Sequence, residues 1–116
     1  MKHIVLVEDD DSIRDVFHIV LKNNYQLTAL ANADKIMRQE IDAPDLFILD
    51  KQLSGANGLD VCRFIKQSDR FKGVPVVMIS VNPDILSLSK EAGSDDALTK
   101  PFSLTVLKNL ILKYTV

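Results

Sequence analysis

Three runs of unbroken apolar sequence, Ile4 to Val7 (IVLV), Leu46 to Leu49 (LFIL) and Val76 to Ile79 (VVMI), constrain the fold of this chain more than any other feature. Each is four residues long, with Pro44, Pro75 or polar residues nearby. Such runs are too short for helices and read as strands. A strand with alternating apolar positions buries one face, whereas a strand apolar at every position must bury both. The chain therefore needs helices above and below a parallel sheet, and the segments between the runs carry the 3.6-residue period of amphipathic helices.

Along the chain the two patterns alternate. After Ile4 to Val7, the residues Ile13, Val16, Phe17, Val20 and Leu21 predict one helical face, capped by Asp10 or Asp11 and ended by Asn23-Asn24. Tyr25 to Leu30 predicts a second strand. Asn32 caps a weak second helix expected to bury Ile36, Met37 and Ile41 before Pro44 stops it. Leu46 to Leu49 ends on Asp50 and leads into KQLSGANG, read as a loop. Leu59, Cys62 and Ile65, with Val61 and Phe64 alongside, form the third helical stripe. Val76 to Ile79 ends on Ser80, and Asn82-Pro83-Asp84 opens a helix with Ile85, Leu88 and Ala92, closed by Gly93. Asp96 to Thr99 is a short fifth strand before Lys100-Pro101. Ser103 then caps a last helix with Leu104, Leu107, Leu110 and Ile111.

Composition narrows the class. The 116 residues suit one domain, and 47% hydrophobic with 26% charged residues suits a single core. A net charge of −2 gives no global reason to expect nucleic acid or an anionic membrane as partner. The apolar run of MKHIVLVEDDD is too short for a signal peptide, and no segment approaches the roughly 18 apolar residues of a membrane span. Cys62 stands alone, so no internal disulfide is expected, and a reducing cytoplasm is the expected compartment.

Ligands of such open parallel sheets bind beyond the carboxyl ends of the strands, where the strand order reverses. Those positions hold Glu8 and Asp9 after the first strand, Asp50 after the third, Ser80 after the fourth and Lys100 after the fifth. If the order is 2-1-3-4-5, Glu8, Asp9 and Asp50 converge. Clustered carboxylates raise one another's pKa. A hard divalent cation resolves the conflict, and carboxylates at a shallow, open site suit Mg²⁺. An anionic nucleophile, a metal, an ammonium and a hydroxyl are the parts needed to accept a phosphoryl group, with Asp50 attacking in line and Lys100 offsetting charge on the transferring oxygens.

The stretches IVLVEDDDSIR, LFILDKQLSGANGLDV, VVMIS and GSDDALTKPF, in that order, resemble the receiver domain of two-component response regulators. The resemblance implies a flavodoxin-like (βα)5 α/β fold, a doubly wound five-stranded parallel sheet of order 2-1-3-4-5, over residues 1–116 as one domain. It implies that Glu8 and Asp9 hold Mg²⁺ or Mn²⁺ with Asp50 and the backbone carbonyl of Gln52. It further implies that Asp50 is the phosphoacceptor, that Ser80 reaches toward the phosphoryl group, that Lys100 binds it, and that the Lys100-Pro101 bond is cis. The implied donor is a histidine kinase or histidine phosphotransfer protein, and the implied recipient of the signal is an effector protein or output domain. Such a domain catalyses only its own phosphoryl transfer and dephosphorylation.

Three positions depart from the family's usual pattern: Ser54 where Pro is common, Val81 where a small residue is common, and Ala97 where an aromatic is common. Alanine has no rotamer to switch, so the expectation is that phosphorylation is read out differently here. A non-switching docking module with the same fold is the alternative. Two other classes fit less well. A flavodoxin-type cofactor site needs a phosphate-cradling loop where this chain has four acids, Glu8 to Asp11. A dehalogenase-type phosphatase needs a second Asp where this chain has Gln52. His3 and His18 have no ligand spacing, Cys62 reads as a core thiol, and Phe71, Leu86 and Phe102 read as either core or partner surface.

Overall fold

A computed structural model describes residues 1–53 and 55–116 of the chain; the expectation about Ser54 falls outside them. The chain runs β1 (His3–Val7), α1 (Asp11–Leu21), β2 (Gln26–Leu30), α2 (Asp34–Met37), β3 (Leu46–Asp50), a short pair β4 (Gln52–Leu53) and β5 (Ala56–Asn57), α3 (Gly58–Gln67), β6 (Val76–Ser80), α4 (Ile85–Glu91), β7 (Asp96–Thr99) and α5 (Leu104–Thr115). Five strands form one parallel sheet in the order β2-β1-β3-β6-β7. Counting only these strands, the order is the expected 2-1-3-4-5.

The unbroken apolar runs divide between two cores as the strand pleat requires. Val5, Val7, Phe47, Leu49, Val76 and Met78 face one core, where Ile36, Leu59, Cys62, Ile65 and Ile85 cover them. Ile4, Leu6, Leu46, Ile48, Val77 and Ile79 face the other, under Phe17 and Leu21 of α1 and Leu107 and Ile111 of α5. Each of Ile4 to Val7 is completely buried, and side chains of this size contribute roughly 1.5–3 kcal/mol apiece. Phe71, undecided from sequence, is core, edge-on to Phe47 at 5.5 Å between ring centroids. Leu86 is exposed, and Phe102 is half-buried against Phe17.

Local signals place most helix ends. Asp10 caps α1 by accepting from the amides of Ser12 and Ile13, and Ser103 caps α5 by accepting from Val106. The second helix differs from expectation. It has four residues, and Gln39 closes it long before Pro44. With Gln39 at φ 55, its amide donates to Ile36 O and the Glu40 amide to Lys35 O, a left-handed cap of the Schellman type. Asn32 does accept from the Asp34 amide, although Ala33 holds the cap position. Only Ile36 of the expected trio is fully buried; Ile41 is half-buried and Met37 faces solvent. Val16 and Leu104, read as core stripe, are also exposed. The KQLSGANG segment contains the antiparallel β4–β5 pair, too short to show as a strand pattern.

Candidate functional site

The register of the central strands aligns their polar ends. Val7 pairs with Leu49, so Glu8 and Asp50 each follow by one residue; Ser80 pairs with Thr99, and Lys100 follows. Backbone bonds carry the ladder past the strand ends: the Glu8 amide donates to Leu30 O, the Lys51 amide to Ile79 O and the Lys100 amide to Ser80 O. Gly58 completes the support under Asp50. A Cβ at that position would lie 2.0 Å from the Asp50 carbonyl oxygen, so only glycine lets the start of α3 approach so closely. Its amide donates to Lys51 O at 2.6 Å.

Glu8, Asp9 and Asp50 each present one carboxylate oxygen within 4.8 Å of the others. Glu8 is fully buried, Asp50 is 6% exposed and Asp9 faces solvent. Lys100 Nζ donates to Glu8 Oε1 at 2.8 Å and to Asp50 Oδ2 at 3.1 Å, so it bridges the two acids directly. Asp50 Oδ1 accepts from the Gln52 amide at 3.2 Å. The other Glu8 oxygen, Oε2, is buried and has no hydrogen-bond partner among the described residues. Burial, reinforced by the neighbouring Asp50, pushes the Glu8 carboxyl up to about 7. Burial alone would lower the Lys100 ammonium, but its bonds to Glu8 and Asp50 outweigh that and hold it above the ordinary lysine range.

These groups line an open cleft of about 280 Å³ that also takes in Gln52, Ser80 and Val81. The Ser80 hydroxyl, almost fully buried, accepts from the Asn82 amide at 3.1 Å. Val81 is 64% exposed at the rim. Asp10 acts as helix cap, one of the two expected candidates, and Asp11 pairs with Arg14. The Lys100-Pro101 peptide is cis.

The response regulator receiver domain family matches residues 4–112. The chain belongs to that family. Among curated relatives, this receiver domain is 37% identical over 109 residues to the transcriptional regulatory protein CseB of Streptomyces coelicolor, covering 90% of this chain and 45% of the relative. It thus spans about half the length of the curated relatives it matches. Among solved structures, it resembles the signal receiver domain of a signal transduction histidine kinase from Syntrophus aciditrophicus, at 26% identity and a TM-score of 0.89, over 99% of this chain and 90% of that one. It also resembles the Mn²⁺-bound form of the response regulator Rcp1, at 28% identity and a TM-score of 0.79, over 97% and 91% of the two chains. The alternative of a docking module is not favoured.

The receiver domain brings together every residue singled out at the strand ends. Two supporting residues carried too little sequence signal. Gly58 read as one of two loop glycines, and Arg14, four residues after the helix cap Asp10, was given no role from sequence. The remaining groups are structural. His3 shares a hydrogen bond with Thr28, while Cys62 is buried in the core, where burial pushes its thiol up to about 11. No described helix is long and apolar enough to cross a membrane.

Proposed function

We propose that residues 1–116 act as one phosphoacceptor unit, taking a phosphoryl group from a phosphohistidine donor onto Asp50 and presenting a partner with a changed surface until the acyl phosphate hydrolyses. The observation that carries this reading is the convergence of Glu8, Asp9 and Asp50 around a buried, unpartnered Glu8 oxygen, with Lys100 bound across the cluster. A carboxylate oxygen buried without a donor is costly. An all-oxygen donor set fits Mg²⁺ or Mn²⁺, which Glu8, Asp9, Asp50 and the Gln52 carbonyl would hold. When bound, the cation supplies positive charge to the transferring phosphoryl oxygens.

The chain's own groups account for the rest. Asp50, only slightly exposed but lining the cleft, can offer a carboxylate oxygen to the phosphorus of a donor entering it. As its bond to phosphorus forms, the bond from phosphorus to the donor imidazole nitrogen breaks, and that nitrogen keeps the electron pair. Lys100 already touches Asp50 and Glu8, so its ammonium can pass to a phosphoryl oxygen with a small movement. Ser80 lines the same cleft and can exchange its bond to Asn82 for one to the phosphoryl group. A histidine kinase or histidine phosphotransfer protein is the donor class, and an effector protein or output domain the recipient. The lone buried thiol of Cys62 is in keeping with a cytoplasmic setting. The domain turns over no separate substrate and catalyses only its own phosphorylation and dephosphorylation.

Intact-mass analysis after incubation with a small acyl phosphate, with and without Mg²⁺, tests this reading. A Mg²⁺-dependent phosphoryl adduct is expected on the wild type and not on Asp50→Asn. An adduct on the variant would reassign the site.

A further inference from the structure

Arg14 lies on the first turns of α1, yet its side chain turns back toward the acids. The side chain is only 19% exposed. Its Nη1 donates to the carbonyl oxygen of Glu8 at 2.6 Å, and its Nη2 donates to Asp11 Oδ1. On the other side of the same residue, the Glu8 amide donates to Leu30 O at 3.0 Å. Glu8 is therefore fastened at both backbone groups, to the edge strand β2 and to α1. The carbonyl that Arg14 holds belongs to the peptide that carries Asp9. Glu8 is fully buried and Asp9 follows it directly, so the tilt of that peptide is one restraint on where the Asp9 carboxylate stands relative to Glu8 and Asp50.

We propose that Arg14 is a positioning residue for the cation site: its planar fork ties the Glu8 carbonyl to the Asp11 carboxylate, fixing the turn in the form that brings Asp9 to Glu8 and Asp50. A guanidinium can hold two acceptors in fixed relative positions, which an ammonium does less well. The inference rests on the cation-site reading above and adds to it the device that holds the site ready.

Charge and positioning predict opposite signs, and that makes the inference testable. Arg14 is cationic, so removing its charge alone would tighten cation binding. Loss of positioning would weaken it, by about tenfold if it follows other outer-sphere supports of metal ligands. The experiment is Mn²⁺ binding followed by the paramagnetic resonance of the free ion, with wild type, Arg14→Gln, Arg14→Lys and Asp9→Asn. Thermal melts and the Mg²⁺ dependence of the acyl phosphate adduct are recorded beside it. The expected result is weaker Mn²⁺ binding in both Arg14 variants, including the one that keeps the charge. The half-saturating Mg²⁺ should rise in step, while the rate at saturating Mg²⁺ falls far less. A merely structural role would lower the melting temperature without moving that half-saturation point. Arg14 variants that melt like wild type and bind Mn²⁺ as tightly or more tightly would overturn the inference alone. A wild type that binds no Mn²⁺, or Asp9→Asn binding as well as wild type, would overturn the cation-site reading and this inference with it.

Discussion

Lys100 Nζ stands 2.8 Å from Glu8 Oε1, joining two residues 92 positions apart in the chain. The same nitrogen reaches Asp50 Oδ2, so one ammonium offsets two acids that share a nearly dry corner. In the phosphoacceptor reading proposed above, this bridging ammonium is also the group that would meet a phosphoryl oxygen. Removing it should cost both stability and chemistry. Lys100→Met is expected to slow adduct formation at saturating Mg²⁺ by about 100-fold, in line with loss of a preorganised electrostatic contact. Time-resolved intact mass measures this, and a rate within twofold of wild type would remove Lys100 from the chemistry.

Metal-free stability should fall as pH rises across the Glu8 titration. The folded Glu8 carboxyl keeps its proton up to about 7, whereas its ordinary value is 4.5. Between those values the folded state binds more protons than the unfolded state, so the Glu8 contribution to stability declines with rising pH and levels off above about 7. Glu8→Gln should remove that slope. Denaturant titrations in chelator at pH 5, 6, 7 and 8 compare the two proteins; equal slopes would contradict the assignment.

Cation binding carries the opposite pH sign. A ligand must ionise before it binds, so Mg²⁺ affinity should rise with pH up to about 7 and then flatten. Adding Mg²⁺ should therefore raise the melting temperature more at pH 8 than at pH 5. At 100 times its dissociation constant the gain is about 2.7 kcal/mol. Scanning calorimetry with and without chelator provides the check, and a larger gain at pH 5 would sink the idea.

Gly58→Ala should be destabilising despite the small size of the change. The added Cβ would sit 2.0 Å from the Asp50 carbonyl oxygen, and both partners are backbone. Overpacking of this kind costs about 1–3 kcal/mol. Because the displaced backbone carries Asp50, adduct formation should slow as well. Urea unfolding that moves by less than about 0.5 kcal/mol would show that α3 can shift without cost.

Val81 and Ala97 give two separate expectations. Val81 stands exposed at the cleft rim, so Val81→Ala should leave stability within about 0.5 kcal/mol and speed both adduct formation and its hydrolysis several-fold. Mass kinetics would show it, and unchanged rates would mean the valine does not gate the cleft. Ala97 lines an open groove of about 530 Å³ with Leu86, Phe102 and Val106, and has no rotamer to turn inward. Structures with and without a phosphoryl mimic should therefore agree across α4, β7 and α5. A large rearrangement of that face would contradict the expectation.

Sequence alone determined the layered fold and the residues at its switch point. Ile4 to Val7, Leu46 to Leu49 and Val76 to Ile79 are apolar at every position, and only a sheet covered on both faces can bury such strands. Once the sheet is parallel and its order is 2-1-3-4-5, its carboxyl ends share one edge and Glu8, Asp9, Asp50, Ser80 and Lys100 line one cleft there. Short-range signals were weaker where several interactions compete. The second helix stops at a left-handed Gln39, a cap that the sequence near Pro44 does not announce. Tertiary structure alone decided which donor meets which acceptor. Lys100 bridges Glu8 and Asp50 and leaves Glu8 Oε2 unpartnered, Gly58 lies against the Asp50 carbonyl, and Arg14 returns to the Glu8 carbonyl. Hydrophobic pattern is additive along the chain and can be read in one dimension. A hydrogen bond depends on tenths of an ångström between atoms far apart in sequence, and only the packed structure sets those distances.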